Sequence, residues 1–239
     1  MSLSGAADRR SQLGAALDAI RERVARAAAA AGRDPQEIRV IVVTKTYPAS
    51  DVALLAGLGV RDVGENRVQE GAAKRAALAD RVPGGLSWHL IGQLQTNKAR
   101  AVARDFDCVH SVDRPELVEA LDRATRERPV PLPCLVQVSL DGDPRRGGVV
   151  VEGLERLATD LAARPGLRLA GLMGVAPLGW NPEQAFDVLP VLSLRLREID
   201  PTATMISAGM SGDLEAAVSR GATHLRVGSA VLGARPPLG

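Results

Sequence analysis

Three stretches of this sequence carry side chains that can do chemistry together. The first is Ile38-Arg39-Val40-Ile41-Val42-Val43-Thr44-Lys45, a short apolar, β-branched run that ends on a lysine. Runs of this length and content form buried strands of the kind found in parallel sheets. Lys45 then stands where the strand gives way to the next loop. A partly desolvated lysine there can lose its proton and add to an aldehyde, forming a Schiff base. The second and third stretches are Ser207-Ala208-Gly209-Met210-Ser211-Gly212-Asp213 and Arg226-Val227-Gly228-Ser229-Ala230. Small residues let the backbone approach a ligand closely, and free N–H groups at a helix start attract an anion. Ser207, Ser211 and Ser229 add hydroxyl donors. Either loop alone also reads as a simple turn and helix cap, with Ser211 or Asp213 capping. Taken together, the two loops read as a phosphate nest.

The elements that must position these residues follow from periodicity. Leu13, Leu17, Ile20, Val24 and Ala28 recur at helical spacing, which predicts an amphipathic helix over 9–31 with Gly32 as its stop and an arginine-rich, solvated polar face. Strands are predicted at 38–45, 60–64, 88–91, 106–112, 133–140, 167–173, 204–207 and 223–227. Helical patterns fall between them: a short one around Val52, Leu54 and Leu55, then 65–79, 96–104, one opened by Arg114-Pro115, then 151–163, 182–198 and 212–220. Strict alternation gives a parallel sheet, and eight repeats predict an α/β fold: a single (β/α)8 TIM-type barrel with an additional N-terminal helix. An open doubly wound sheet would carry a glycine-rich fingerprint after its first strand. Here that turn is Thr44-Lys45-Thr46-Tyr47. No linker or low-complexity stretch divides residues 1–239, so one domain is expected, with 141–148 the candidate mobile loop. In such barrels the functional groups sit at the C-terminal ends of the strands, and phosphate is often bound after strands seven and eight.

Composition excludes several function classes. The net charge is +2 and aromatic residues make up 2% of the chain, so neither a basic footprint nor a base-stacking surface is expected, and no nucleic acid partner. No apolar run approaches the roughly 20 residues that span a bilayer, so no membrane partner is expected. Met1-Ser2-Leu3-Ser4-Gly5 lacks a signal-peptide pattern. Cys108 and Cys134 lie far apart in predicted strands and read as reduced core thiols of a cytoplasmic protein.

A lysine after strand one and a phosphate nest after strands seven and eight imply one ligand, an aldehyde that carries a phosphate. Pyridoxal 5'-phosphate is the common case. Arg226, two residues before Gly228, would then point into the barrel at the pyridine nitrogen. An arginine there keeps that nitrogen unprotonated, because two adjacent positive charges are costly. It weakens the ring as an electron sink compared with an aspartate partner.

Several segments resemble the pyridoxal phosphate homeostasis protein family. They are Val43-Thr44-Lys45-Thr46, Gly64-Glu65-Asn66-Arg67-Val68-Gln69-Glu70, Trp88-His89-Leu90-Ile91-Gly92-Gln93-Leu94-Gln95-Thr96-Asn97-Lys98, His110-Ser111-Val112-Asp113, Gly171-Leu172-Met173 and Ser207-Ala208-Gly209-Met210-Ser211. The resemblance runs from about Ile38 to Gly233, and the glutamine–asparagine–lysine block is its most specific part. It implies a single β/α barrel related to the N-terminal domain of alanine racemase. It makes Lys45 the Schiff-base lysine and places Ser207, Gly228 and Ser229 at the phosphate, helped by the backbone of Gly209, Met210 and Ser211. It puts Arg226 at the ring nitrogen, Asn66 near the ring and Met173 in the pocket wall. The sequence departs from the family at Arg67, where an aromatic residue is usual, and at Ala208, where methionine is usual. Both departures concern pocket lining rather than the lysine or the phosphate contacts.

The resemblance implies a protein that buffers pyridoxal 5'-phosphate inside the cell and delivers it to apo-enzymes, without established turnover. The alternative is a minimal racemase. A racemase needs two bases, one on each face of the substrate α-carbon. Related racemases take the second, a tyrosine, from a C-terminal β domain, and the sequence ends at Gly239 with no such domain expected. Tyr47, the only tyrosine, reads as packing or rim. A metal site would need His89, His110 and His224, which lack any ligand spacing, so none is expected. Lys98 reads as a solvated residue beyond strand three. No extended apolar surface pattern demands a dimer, so a monomer is expected.

Overall fold

The computed structural model describes residues 3–82, 85–143 and 146–233. The eight predicted strands are present: β1 (Arg39–Val43), β2 (Asp62–Glu65), β3 (Ser87–Leu90), β4 (Cys108–Val112), β5 (Leu132–Gln137), β6 (Leu167–Met173), β7 (Met205–Ser207) and β8 (His224–Val227). They pair in sequence order and close into a barrel, with every pair parallel. Closure is made by β1 against β8, with Ile41 opposite Arg226 and Val42 opposite Val227. Period-two alternation then turns Val42, Val63, Leu90 and Val109 outward under the helices, all but fully buried. Their neighbours line the lumen. In an ordinary barrel that lumen is filled by branched apolar residues. Here it holds His89, His110, Ser207, His224 and Arg226, all buried.

The helices are α1 (Leu3–Ala30), α2 (Ala49–Gly57), α3 (Val68–Leu78), α4 (Ala99–Asp105), α5 (Pro115–Thr125), α6 (Leu154–Ala162), α7 (Pro182–Phe186), α8 (Leu189–Ile199), α9 (Leu214–Ser219) and α10 (Ser229–Leu232). Several bounds differ from the sequence expectation. α1 starts at Leu3 rather than at residue 9. The predicted helix 182–198 is two helices, with Pro190 in the first turn of the second; proline has no N–H to continue a helix but suits a first turn. Glu65 ends β2 instead of starting α3, because its side chain is wholly buried. α10 stands where the sequence reads as loop.

The fold places α1 across the seam between the first and last βα units. Its stripe Leu13, Leu17, Ile20 and Val24 is buried, each side chain contributing about 1.5–3 kcal/mol when fully removed from water. Gly32, at φ +63°, ends the helix as expected. The arginine-rich face is not simply solvated. Arg9 bonds Asp51 (2.6 Å) and the carbonyl of Leu232 (3.1 Å), and Arg23 bonds Glu215 (2.8 Å) and the carbonyl of Ser211 (3.1 Å). These side chains satisfy carbonyls beside helix ends, which have no partner within the helix.

Around the loop 141–148, Arg146 pairs with Asp141 at 2.7 Å, and Val138 bridges to Val149. Residues 144 and 145 of that loop lie outside the described residues. Cys108 and Cys134 are buried free thiols. Burial pushes the Cys134 thiol up to about 12 and Cys108 well above its usual value.

Candidate functional site

At the C-terminal ends of the strands lies a cleft of about 280 Å³, lined by Val43, Lys45, Tyr47, Ile91, Met210, Ser211, Gly212, Arg226, Gly228 and Ser229. Lys45 is not the last residue of β1 but the second residue of the turn that follows. That turn closes by a hydrogen bond from Tyr47 N to Thr44 O (3.1 Å), with Thr46 at φ +70°. Left-handed backbone at a threonine is strained. Buried ions hold it. Lys74 Nζ donates to Thr44 O (2.7 Å), Glu65 Oε1 (2.8 Å) and Glu70 Oε1 (2.7 Å). Glu70 Oε1 accepts from Thr46 N (2.6 Å), and Glu65 Oε1 accepts from the Thr44 hydroxyl (2.6 Å). The peptide groups on both sides of Lys45 are therefore fixed. Burial pushes the Glu65 carboxyl above its usual value despite the hydrogen bonds from Lys74 and Thr44.

The opposite wall comes from the β7 and β8 loops. The Ser229 hydroxyl approaches Ser211 Oγ at 3.4 Å, and Ala230 N donates to Ser211 Oγ at 3.3 Å. Asp213 accepts from Met210 N, shaping the turn before α9. Gly209 stands behind it at φ +87°, where a Cβ would come within 2.5 Å of Ala217 Cβ. The site thus has an amine on one side and two hydroxyls on small-residue loops on the other.

Arg226 lies on the cleft floor, 5% exposed. Nη1 donates to Ser207 Oγ (2.6 Å) and Nη2 to the carbonyl of Gly174 (2.9 Å). Both partners are neutral. Burial lowers its pKa to about 10, which still leaves it charged near neutral pH.

Of the residues expected at the site, Lys45, Met210, Ser211, Arg226, Gly228 and Ser229 come together around the cleft. Asn66, Met173, Ser207 and Gly209 are not among its lining residues. Ser207 turns into the lumen, where its hydroxyl meets Arg226 and His110 Nδ1 (2.9 Å). Met173 packs in an apolar cluster with Cys108, Leu135 and Ala170. Asn66 lies under Gly92, where a Cβ would come within 2.3 Å of its carbonyl oxygen. Sequence reasoning did not place Val43, Ile91 or Gly212 in the lining. The signal for Ile91 is its spacing of two from lumen-facing His89, which puts both on one face of β3 and its extension.

His89 and His110 do meet, but with Cys108 rather than His224; the three donor atoms lie within 4.8 Å of one another. The imidazoles already hydrogen-bond each other at 2.9 Å, and burial keeps the Cys108 thiol protonated. A metal would need both lone pairs and a thiolate. The set fits a hydrogen-bonded pair beside a packed thiol.

Comparison with known proteins agrees with this architecture. The alanine racemase N-terminal domain family matches residues 15–236. The pyridoxal phosphate homeostasis protein of Mycobacterium tuberculosis is 47% identical over 249 aligned positions, covering 98% of this chain and 96% of that protein. The protein of that name from Escherichia coli is 38% identical over 223 positions, covering 92% and 95%. The structure of Synechococcus elongatus PipY with pyridoxal phosphate bound superposes with a TM-score of 0.81 at 34% identity, covering 92% of this chain and all of that one. Matched over nearly the full length by these relatives and by the family model, the chain belongs to the pyridoxal phosphate homeostasis protein family, built on the alanine racemase N-terminal domain.

Proposed function

We propose that the cleft holds pyridoxal 5'-phosphate as a Schiff base on Lys45, and that the protein buffers this cofactor and hands it to apo-enzymes without turnover of its own. One observation carries the reading: Lys45, Arg226, Ser211 and Ser229 line a single cleft. The neutral amine of Lys45 adds to the aldehyde carbon, and the carbonyl oxygen leaves as water. Ser211, Ser229 and the nearby backbone N–H groups receive the phosphate. Arg226 faces the ring nitrogen and favours its unprotonated form. The relatives' names, and the cofactor bound to PipY, favour the same ligand.

Carriage rather than racemisation is favoured by Tyr47. Its hydroxyl donates to the carbonyl of Gly233 at 2.8 Å, so its proton is already engaged. We place the protein in the cytoplasm as a monomer; among the described residues no helix is long and apolar enough to cross a membrane.

The test is the visible spectrum of purified protein with added pyridoxal 5'-phosphate, before and after borohydride, for wild type and Lys45→Ala. A yellow species that borohydride traps on Lys45 supports the reading. A colourless wild type that takes up no cofactor overturns it. Exchange of an amino acid's α-hydrogen in deuterated water, lost in Lys45→Ala, would replace carriage with racemisation.

A further inference from the structure

Beneath the cleft, a continuous file of polar side chains crosses the barrel. Arg226 Nη1 meets Ser207 Oγ (2.6 Å), Ser207 Oγ meets His110 Nδ1 (2.9 Å), His110 Nε2 meets His89 Nδ1 (2.9 Å), and His89 Nε2 meets Asp62 Oδ1 (3.0 Å). Asp62 opens β2, at the end of the barrel away from the cleft, with Arg39 3.8 Å from its carboxylate. Every member is buried. The residues come from five different strands, β2, β3, β4, β7 and β8.

The chemistry of the two ends fixes every proton between them. A guanidinium only donates, so the Ser207 oxygen accepts from Arg226. The Ser207 hydroxyl proton is then available to His110 Nδ1. With Nδ1 accepting, neutral His110 carries its proton on Nε2 and donates to His89 Nδ1. His89 in turn carries its proton on Nε2 and donates to Asp62, whose carboxylate only accepts. Burial favours the neutral form of His110. Burial works against the Asp62 carboxylate, but the hydrogen bond from His89, with Arg39 beyond, outweighs it and holds Asp62 ionised. All four bonds therefore point the same way, from cation to anion. Chains so aligned polarise one another and strengthen each link.

A buried guanidinium whose two hydrogen-bond partners are neutral needs its charge offset; Asp213 acts on it through space, and Asp62 is the anion at the far end of its hydrogen-bonded file. We propose that His110 and His89 are positioning residues for Arg226: with Ser207 they tie its guanidinium to Asp62 across the lumen and hold it aimed at the cofactor's ring nitrogen. This inference rests on the cleft being the pyridoxal 5'-phosphate site. It gives the two histidines and Asp62 a role in a contact they do not touch.

The test compares pyridoxal 5'-phosphate with its 1-deaza analogue, which keeps aldehyde and phosphate but replaces the ring nitrogen by CH. Affinities are measured for wild type, Asp62→Asn and His110→Phe. The Asp62→Asn change keeps an acceptor oxygen and removes only the charge. Wild type should bind the natural cofactor about tenfold more tightly than the analogue, the scale of one hydrogen bond to a charged group. Both variants should lose that preference, with affinity for the analogue held within about twofold. Variants that keep the wild-type preference overturn the proposal. A wild type that binds both compounds equally overturns the Arg226 contact, and one that binds neither overturns the cleft assignment itself. A purely structural role would lower both affinities together and also counts against the proposal. Should His110→Phe fail to fold, long-range ¹H–¹⁵N correlation spectra of wild type at pH 8 decide. The proposal requires the Nε2–H tautomer at both His89 and His110; a proton on His110 Nδ1 overturns it.

Discussion

Lys74 Nζ donates to the carbonyl oxygen of Thr44 at 2.7 Å, and so holds the peptide that leads directly into Lys45. The ammonium is 8% exposed and sits between Glu65 and Glu70. Removing one member of a buried ion pair leaves the other uncompensated. Lys74→Met should destabilise the fold by about 3 kcal/mol in urea unfolding. It should also weaken cofactor uptake, because the strained Thr46 loses its support.

Gly209→Ala should be poorly tolerated. The position has φ +87°, and the added carbon would come within 2.5 Å of Ala217 Cβ and 3.0 Å of Leu225 Cδ2. A loss of about 2 kcal/mol or more is expected from overpacking and backbone strain together. The displaced turn carries Ser211, so competition by inorganic phosphate against cofactor binding should weaken as well. A fully stable variant with unchanged phosphate competition would show that the turn adapts.

Arg23→Ala separates stability from site geometry. Its pair with Glu215 is half exposed, so the loss in thermal unfolding should stay below about 1 kcal/mol. Its hydrogen bond to the Ser211 carbonyl braces the nest from outside the barrel. Phosphate affinity should therefore fall several-fold, out of proportion to stability.

Stability should decline as the pH falls from about 6.5 towards 4. Burial, with the Arg39 charge nearby, lowers the pKa of His224 to about 4, and burial takes His110 well below its usual value. Both are neutral in the fold and take up a proton on unfolding. Stability then rises with pH wherever the unfolded chain binds more protons, here between the folded and unfolded pKa values. For His224 the effect is at most about 3 kcal/mol. Urea midpoints at pH 7 and pH 4.5, for wild type and His224→Gln, measure it; the variant should lose part of the acid sensitivity.

The barrel was legible because its signal is periodic. Val40–Val43, Val109 and Leu132–Val136 form short apolar runs between helical patterns, and alternation fixes parallel pairing. Lys45 and the two serine loops were legible because strand ends in a barrel share one face. The rest depended on direction and register. Ser207 reads as a nest residue from its loop, but as the last residue of β7 it turns into the lumen towards His110. His89 and His110 have no sequence spacing that announces a pair; only the register of β3 against β4 brings them to 2.9 Å. The arginines of α1 look like solvent-facing charge until β8 meets β1 and carries Leu232 and Ser211 within their reach.

That strap of arginines bears on the order in which the molecule can be completed. α1 meets its partners Ser211, Glu215 and Leu232 across separations of 188, 192 and 223 residues. The stripe Leu13, Leu17, Ile20 and Val24 reaches its full cover only when α9 and α10 join α2 against it. Contacts so far apart in sequence are slow to form, because long loops must close before they are rewarded. The seam therefore closes late in folding, and the two serine loops reach their final places as the barrel closes. If the cleft holds the cofactor as proposed, the step that finishes the fold is also the one that creates the binding site.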